Sequence, residues 1–285
     1  MRIFLFGAGF SAQAFARRMT GEAERIDGTT RHEQKFPLLE QAGIKPLLFD
    51  GQTPSPELLD RLAQSTHVLI SISPGESGDP AVAIVEEALR RSDNTIRWIG
   101  YLSTVGVYGD HQGAWVDETT ACKPSSRRNL ERVEAEKAWG QLSERHGTPL
   151  AILRLSGIYG PGRNAFVNLK RGTARRVIKE NQIFNRIHVG DIAGSLRFLA
   201  GTDTGGIFNI TDNEPSPPAG CRHLRRRTDG RDATAGSRLR GCRSHADGTF
   251  LLWREQTCLQ PAHQGSGLRI CLSRLPDGVF GHVAG

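Results

Sequence analysis

The sequence predicts an α/β protein built on a doubly wound parallel sheet, and two observations carry that expectation. Over the first 210 residues, short runs rich in Ile, Leu and Val alternate with helical patterns, the arrangement of βαβ units whose sheet is covered on both faces. The first run then passes straight into a glycine-rich turn and a helix, Gly7-Ala8-Gly9-Phe10-Ser11-Ala12 followed by QAFARRM. In order, strands are predicted at 2–6 (RIFLF), 25–30 (RIDGTT, the weakest of the set), 46–50, 67–72, 96–102, 150–155 and 206–211. Helices are predicted between them at 11–19, 56–64, 80–91, 127–145 and 164–180, and no internal repeat is present.

Composition narrows the class of protein. The chain has 285 residues, 38% hydrophobic and 24% charged, with a formal charge of +7, an ordinary globular balance that excludes wholesale disorder and collagen-like structure. No apolar run reaches the roughly 18 residues needed to span a bilayer. The opening MRIFLFGAGF lacks the long apolar core of a secretory signal, so a cytoplasmic location and no membrane partner are expected. The positive charge is not evenly spread. Residues 219–285 hold eleven Arg, four Asp, one Glu and four of the five Cys, whereas residues 1–218 are almost neutral. Two compositions thus meet near Pro217-Pro218: a domain over 1–218, and an irregular tail over 219–285.

The glycine turn has the GxGxxA spacing of a dinucleotide loop in its required context, strand before and helix after. Gly7 suits a tight turn, Gly9 lets backbone approach a pyrophosphate, and Ala12 allows close packing of helix on strand. The helix N-terminus supplies free N–H groups and a positive dipole end to the phosphates. Asp27 stands twenty residues after Gly7, near where an NAD site places its ribose-binding acid, yet Thr29 and Thr30 extend the strand beyond it. The strand end then falls at Thr30-Arg31, with His32 and Lys35 following. A cation there suits a 2′-phosphate, so NADP is favoured over NAD, with a solvated loop cation as the alternative for Arg31.

Four further segments, SISPG at 71–75, YLSTVGVYGD at 101–110, RLSGIYGPGR at 154–163 and RIHVGDIA at 186–193, complete a resemblance. Over residues 1 to about 216 the chain resembles the extended short-chain dehydrogenase/reductases, and within them the NAD-dependent epimerase/dehydratase branch. The resemblance implies a Rossmann fold, a nicotinamide dinucleotide and a small-molecule substrate. It assigns Asp50 and Gly51 to the adenine side of the cofactor and Ser71, Ile72 and Ser73 to the loop that passes it. It assigns Thr104 to the catalytic Ser/Thr position, against the alternative of a hydroxyl that merely ends a buried strand. His188 and Asp191 match a family segment near the substrate lobe, which would span about 160–187, and a homodimer is compatible with the resemblance.

One departure matters. The reaction centre of those proteins is a Tyr-x-x-x-Lys pair on a helix, and none of the three tyrosines here has Lys four residues on: Val105 follows Tyr101, Gln112 follows Tyr108, and Arg163 follows Tyr159. If Ala135-Glu136 matches the family's Ala-Glu, the two positions hold Arg128 and Arg132. Arginine stays protonated at any working pH and is a poor general acid or base, although it suits ribose or an anionic substrate. Tyr108 is then the substitute proton donor the sequence offers, set against a plain packing role.

The tail admits three readings. A basic segment suits nucleic acid, but the nearly neutral 1–218 does not ask for that partner. Metal binding is disfavoured because Cys221, Cys242, Cys258 and Cys271 show no CxxC pairing and no zinc spacing. The third reading is translation in a shifted frame. Taking the second and third bases of each codon with the first of the next, Trp253-Arg254 forces Gly, Glu255-Gln256 allows Asn or Ser, and Gln256-Thr257 allows Lys or Arg. Residues 251–264 then re-read with permitted codons as FYGENKRVSNPRIK, similar to a segment near the C-terminus of the resembled family. One shift near Pro218 would leave the substrate lobe incomplete. The functional expectation is an NAD(P)-dependent oxidoreductase or epimerase-like enzyme acting on a carbonyl or hydroxyl group of a small substrate, with nucleotide-linked compounds among the candidates. A non-catalytic dinucleotide-binding sensor or scaffold is the alternative.

Overall fold

A computed structural model describes residues 1–163, 167 and 185–212. Seven strands form one all-parallel sheet: β1 (Arg2–Phe6), β2 (Arg25–Thr30), β3 (Lys45–Leu48), β4 (His67–Ile70), β5 (Trp98–Thr104), β6 (Leu150–Leu155) and, after two short strands, β9 (Gly206–Ile210). Their order in space is β3-β2-β1-β4-β5-β6-β9, so the winding reverses between β1 and β4. Such a switch point opens a crevice at the carboxyl ends of those two strands.

The seven runs marked in the sequence all pair, and the reason lies in alternation with both faces apolar. Ile3 and Leu5 enter one core with Leu69, Trp98, Leu153 and Phe208, while Phe4 and Phe6 enter the other with Val68, Ile70, Tyr101 and Ile152. The first core is roofed by α1 (Phe10–Arg18) and by a helix over Val189–Gly201. The second is roofed by α3 (Pro56–Ala63), α4 (Ala81–Arg90) and α5 (Arg127–His146), after the short α2 (Phe36–Glu40) that precedes β3. The helix over Val189–Gly201, here α6, was not predicted. Its apolar side is Val189, Ile192, Ala193, Leu196, Leu199 and Ala200, and Gly190, Gly194 and Gly201 weaken the helical signal of that stretch.

Caps define the helix starts. Ser55 accepts the Leu58 N–H to open α3, Ser126 accepts the Asn129 N–H to open α5, and α5 closes on Gly147 at φ +64°. A second small sheet pairs β7 (Gly157–Tyr159) with β8 (Arg186–His188). The helix predicted at 164–180, apart from Val167, and the tail at 219–285 lie outside the described residues, as does most of the segment expected to form the substrate lobe.

Two polar knots are centred on buried groups of inner strands, His67 on β4 and Asp27 on β2. His67 Nε2 lies 3.0 Å from both the Ala200 carbonyl and an Asp203 carboxylate oxygen, joining β4 to the end of α6, and burial pushes this imidazole below its ordinary pKa. Asp27 sits in mid-strand at 1% exposure and takes the Arg25 Nε at 2.6 Å, with burial raising its carboxyl.

Candidate dinucleotide site

The crevice at the switch point is shaped by three glycines. Gly7 turns the chain at φ +86°, and a side chain there would put its Cβ 2.7 Å from the Ile72 Cγ2, so only glycine fits. Its N–H donates to the Thr29 hydroxyl at 2.8 Å and that of Ala8 to the Thr29 carbonyl at 2.8 Å, which pins the turn onto β2. Gly28 allows this approach, since a Cβ on it would lie 3.2 Å from that of Ala8. Gly9 differs: nothing lies within 4 Å of where its Cβ would be, and no side chain caps α1. Open space in front of an uncapped helix start is the fit required for a pyrophosphate, with the orphan N–H groups of the first turn facing it. Ala12 is wholly buried against the sheet, and Ser11 is nearly so, so Ser11 is placed to serve through its backbone.

The neighbouring strand ends complete the crevice. Arg31 follows the last residue of β2 and is exposed, whereas Asp27 points to the Arg25 and Arg61 side of the structure. Arg25 also lines a cavity of about 390 Å³ with Arg2, Glu24 and Gln64, at the amino end of the sheet and away from the glycine turn. Asp50 is exposed and holds the Gln52 N–H at 2.9 Å; Gly51, at φ +100°, lies against Pro80. The Ser71 N–H extends the β1–β4 ladder to the Phe6 carbonyl at 2.8 Å, Ile72 packs on Gly7, and Ser73 is exposed at the rim.

Arg132 joins that rim to β5. It donates to the Ser73 hydroxyl at 3.1 Å and to the Leu102 carbonyl, and its guanidinium stands 5.9 Å from the Tyr101 ring. Arg128, one helical turn earlier, is exposed. Thr104 ends β5, half-buried, and its hydroxyl oxygen accepts the Gly106 N–H at 3.1 Å.

Tyr108 occupies a different setting from the open one a proton donor needs. It is 1% exposed; its hydroxyl donates to Asn209 Oδ1 at 2.8 Å and accepts an Arg154 N–H at 2.8 Å. Burial raises its pKa, against the pull of Arg154. Arg154 in turn forms a buried ion pair with Glu136 at 2.7 Å, and Glu136 also receives the Ser103 hydroxyl. Burial opposes the charge on Arg154, but Glu136 and Tyr108 outweigh it and raise its pKa. This network escaped sequence reasoning because its members lie on a short turn, a helix and three strands, far apart in the chain. The periodic signal that does exist is Arg154 and Asn209 inside otherwise apolar strands. His188 caps α6 by accepting the Gly190 N–H at 3.1 Å, and burial raises the Asp191 carboxyl, with His188 opposing.

A parallel seven-stranded sheet with a glycine turn at its switch point defines a Rossmann-like α/β fold. The model of the NAD dependent epimerase/dehydratase family matches residues 3–210, and the chain belongs to that family. Among curated proteins it is similar to Protein YeeZ of Escherichia coli strain K12, 28% identical over 76% of this chain and 79% of the relative. Among solved structures it is similar to a functionally unknown conserved protein from Silicibacter pomeroyi, 40% identical with a TM-score of 0.72, covering 81% of this chain and 79% of the other. A UDP-glucuronic acid 4-epimerase from Bacillus cereus, solved in complex with NAD, shares the fold at 18% identity and a TM-score of 0.68, over 82% of this chain and 86% of that one.

Proposed function

We propose that the protein binds a nicotinamide dinucleotide across the carboxyl ends of β1, β2 and β4 and acts on a carbonyl or hydroxyl group of a small substrate. The observation that carries this reading is the open face of Gly9 before the uncapped start of α1. NADP is favoured over NAD because Arg31, an exposed cation, follows β2, while the candidate ribose acid Asp27 is buried and paired with Arg25. When bound, the nicotinamide would supply or accept hydride. Thr104 would direct its hydroxyl at the substrate oxygen, Arg132 would hold ribose or substrate from the rim, and Arg128 would add positive charge without moving a proton.

A second reading, a dinucleotide-binding sensor or scaffold without turnover, is favoured by one specific observation. The chain has no Tyr-x-x-x-Lys pair, and Tyr108 already uses its hydroxyl twice inside the fold. Titrating NADPH and NADH by fluorescence, then following cofactor oxidation over a panel of carbonyl compounds, separates the two. Binding with cofactor oxidation or with conversion of the compound supports the enzyme, binding with neither supports the sensor, and absence of binding removes both.

Residues 219–285 lie outside the described residues, and the support for reading them as a frame-shifted tail is the restricted codon pattern around Trp253 to Gln264. On that reading the tail's charge says nothing of a nucleic-acid partner.

A further inference from the structure

The segment after β7 approaches the dinucleotide loop through one side chain. Gly160, Pro161, Gly162 and Arg163 form a tight turn in which Gly160 and Arg163 exchange backbone hydrogen bonds at 3.0 and 3.1 Å, with Gly162 at φ +73°. Pro161 fixes its own φ, so the turn is stiff. It seats closely: a Cβ on Gly160 would fall 2.7 Å from Val189 Cγ1 and 3.3 Å from Phe10 Cζ. The turn thereby lays the Arg163 guanidinium over the Phe10 ring, 5.7 Å from its centroid.

Phe10 is the first residue of α1, next to the open Gly9. Arg163 is exposed, and no carboxylate among the described residues lies within ion-pair distance of it, whereas Arg25, Arg154 and Arg197 each have one. A guanidinium held over an aromatic ring keeps N–H groups for a planar or tetrahedral anion. Two donor sets therefore stand side by side: the first-turn N–H groups of α1 and the fork of Arg163.

We propose that Arg163 is a ligand for a phosphoryl anion at the start of α1, reaching it from the turn after β7 while Phe10 holds the guanidinium in place. The inference rests on the dinucleotide reading above and adds a residue outside the glycine loop to that site. The anion is the diphosphate of the dinucleotide or a phosphoryl group on a second ligand.

The test is titration of the full chain and its Arg163→Gln variant with NADPH by fluorescence, and with inorganic pyrophosphate by calorimetry, in the absence and presence of saturating NADPH. Arg163 is on the surface, so the melting temperature should stay put and serve as the folding control. Loss of NADPH affinity by roughly tenfold or more in the variant assigns the anion to the dinucleotide. Unchanged NADPH affinity, with Arg163-dependent pyrophosphate binding to the NADPH-saturated protein, assigns it to a second ligand. Phe10→Leu, which keeps the charge and removes the platform, should give part of the same loss. If Arg163→Gln changes neither NADPH nor pyrophosphate binding, the proposal is overturned while the dinucleotide reading stands. Arg163-dependent pyrophosphate binding by a protein that ignores NADPH would uphold the anion site and overturn the dinucleotide reading, and binding of neither probe would remove both.

Discussion

Arg154 lies over the ring of Tyr108, its guanidinium carbon 4.9 Å from the ring centroid, and donates an N–H to the hydroxyl of the same tyrosine at 2.8 Å. The tyrosine is thus held from its face and its edge by one cation, and Asn209 Oδ1 accepts the hydrogen bond that its hydroxyl donates. The hydroxyl thereby ties the turn after β5 to β6 and β9.

Tyr108→Phe should therefore leave NADPH affinity and any turnover within about twofold while lowering stability. Removing the hydroxyl strands a buried Arg154 N–H and the Asn209 oxygen, a loss of about 1–3 kcal/mol. Denaturant unfolding measures the stability term. A collapse in turnover at unchanged stability would return Tyr108 to the role of proton donor.

Glu136→Gln should be more severe. It leaves the Arg154 charge buried without its carboxylate, which costs about 3–5 kcal/mol. The double variant Glu136→Gln with Arg154→Met should recover part of that loss, because the uncompensated charge goes with the arginine. A shift in the urea midpoint for each of the two variants reads this directly.

Asp27 and Arg31 separate the two candidate ribose ends. Asp27→Asn should leave NADH and NADPH affinities unchanged, since Asp27 faces Arg25 away from the glycine turn. Arg31→Ala should weaken NADPH by about tenfold and NADH little. Fluorescence titration with both cofactors distinguishes this from a solvated loop cation, for which neither affinity moves.

Asp27 also has a pH signature. Burial raises its carboxyl above 3.8, so between 3.8 and the raised value the folded state binds more proton than the unfolded state. This group's contribution to stability consequently falls as pH rises through that window. Asp27→Asn should flatten that part of the stability–pH curve, read as urea midpoints at pH steps upward from about 4.

The sheet was legible because its central runs β1, β4, β5 and β6 are mostly apolar and buried on both faces, and even the polar RIDGTT run pairs with β1 and β3. The glycine loop was legible because Gly7 and Gly9 serve a local backbone need that spacing alone encodes. α6 was not, since its three glycines dilute the helical pattern and its apolar side is fixed by packing against α1. Nor was the Phe10–Arg163 stack, whose partners are joined by the turn after β7 rather than by any sequence period. The cluster of Ser103, Glu136, Arg154, Tyr108 and Asn209 includes bonded partners 101 positions apart, a distance over which no motif runs.

For the tail, the coding DNA around codon 218 is the deciding observation. A single-base insertion or deletion relative to a homologous gene is expected there; a homologous gene without one would mean that the basic segment is a genuine part of this protein.

The most direct test of the dinucleotide site is Gly9→Asp. The backbone at Gly9 is extended (φ −83°) and its Cβ direction is empty, so the variant should fold with an unchanged melting temperature. Its carboxylate would fill and oppose the space that a pyrophosphate needs, so NADPH binding by fluorescence titration should be lost. Binding of NADPH by Gly9→Asp as tightly as by the wild-type chain would contradict the placement of the cofactor at the start of α1.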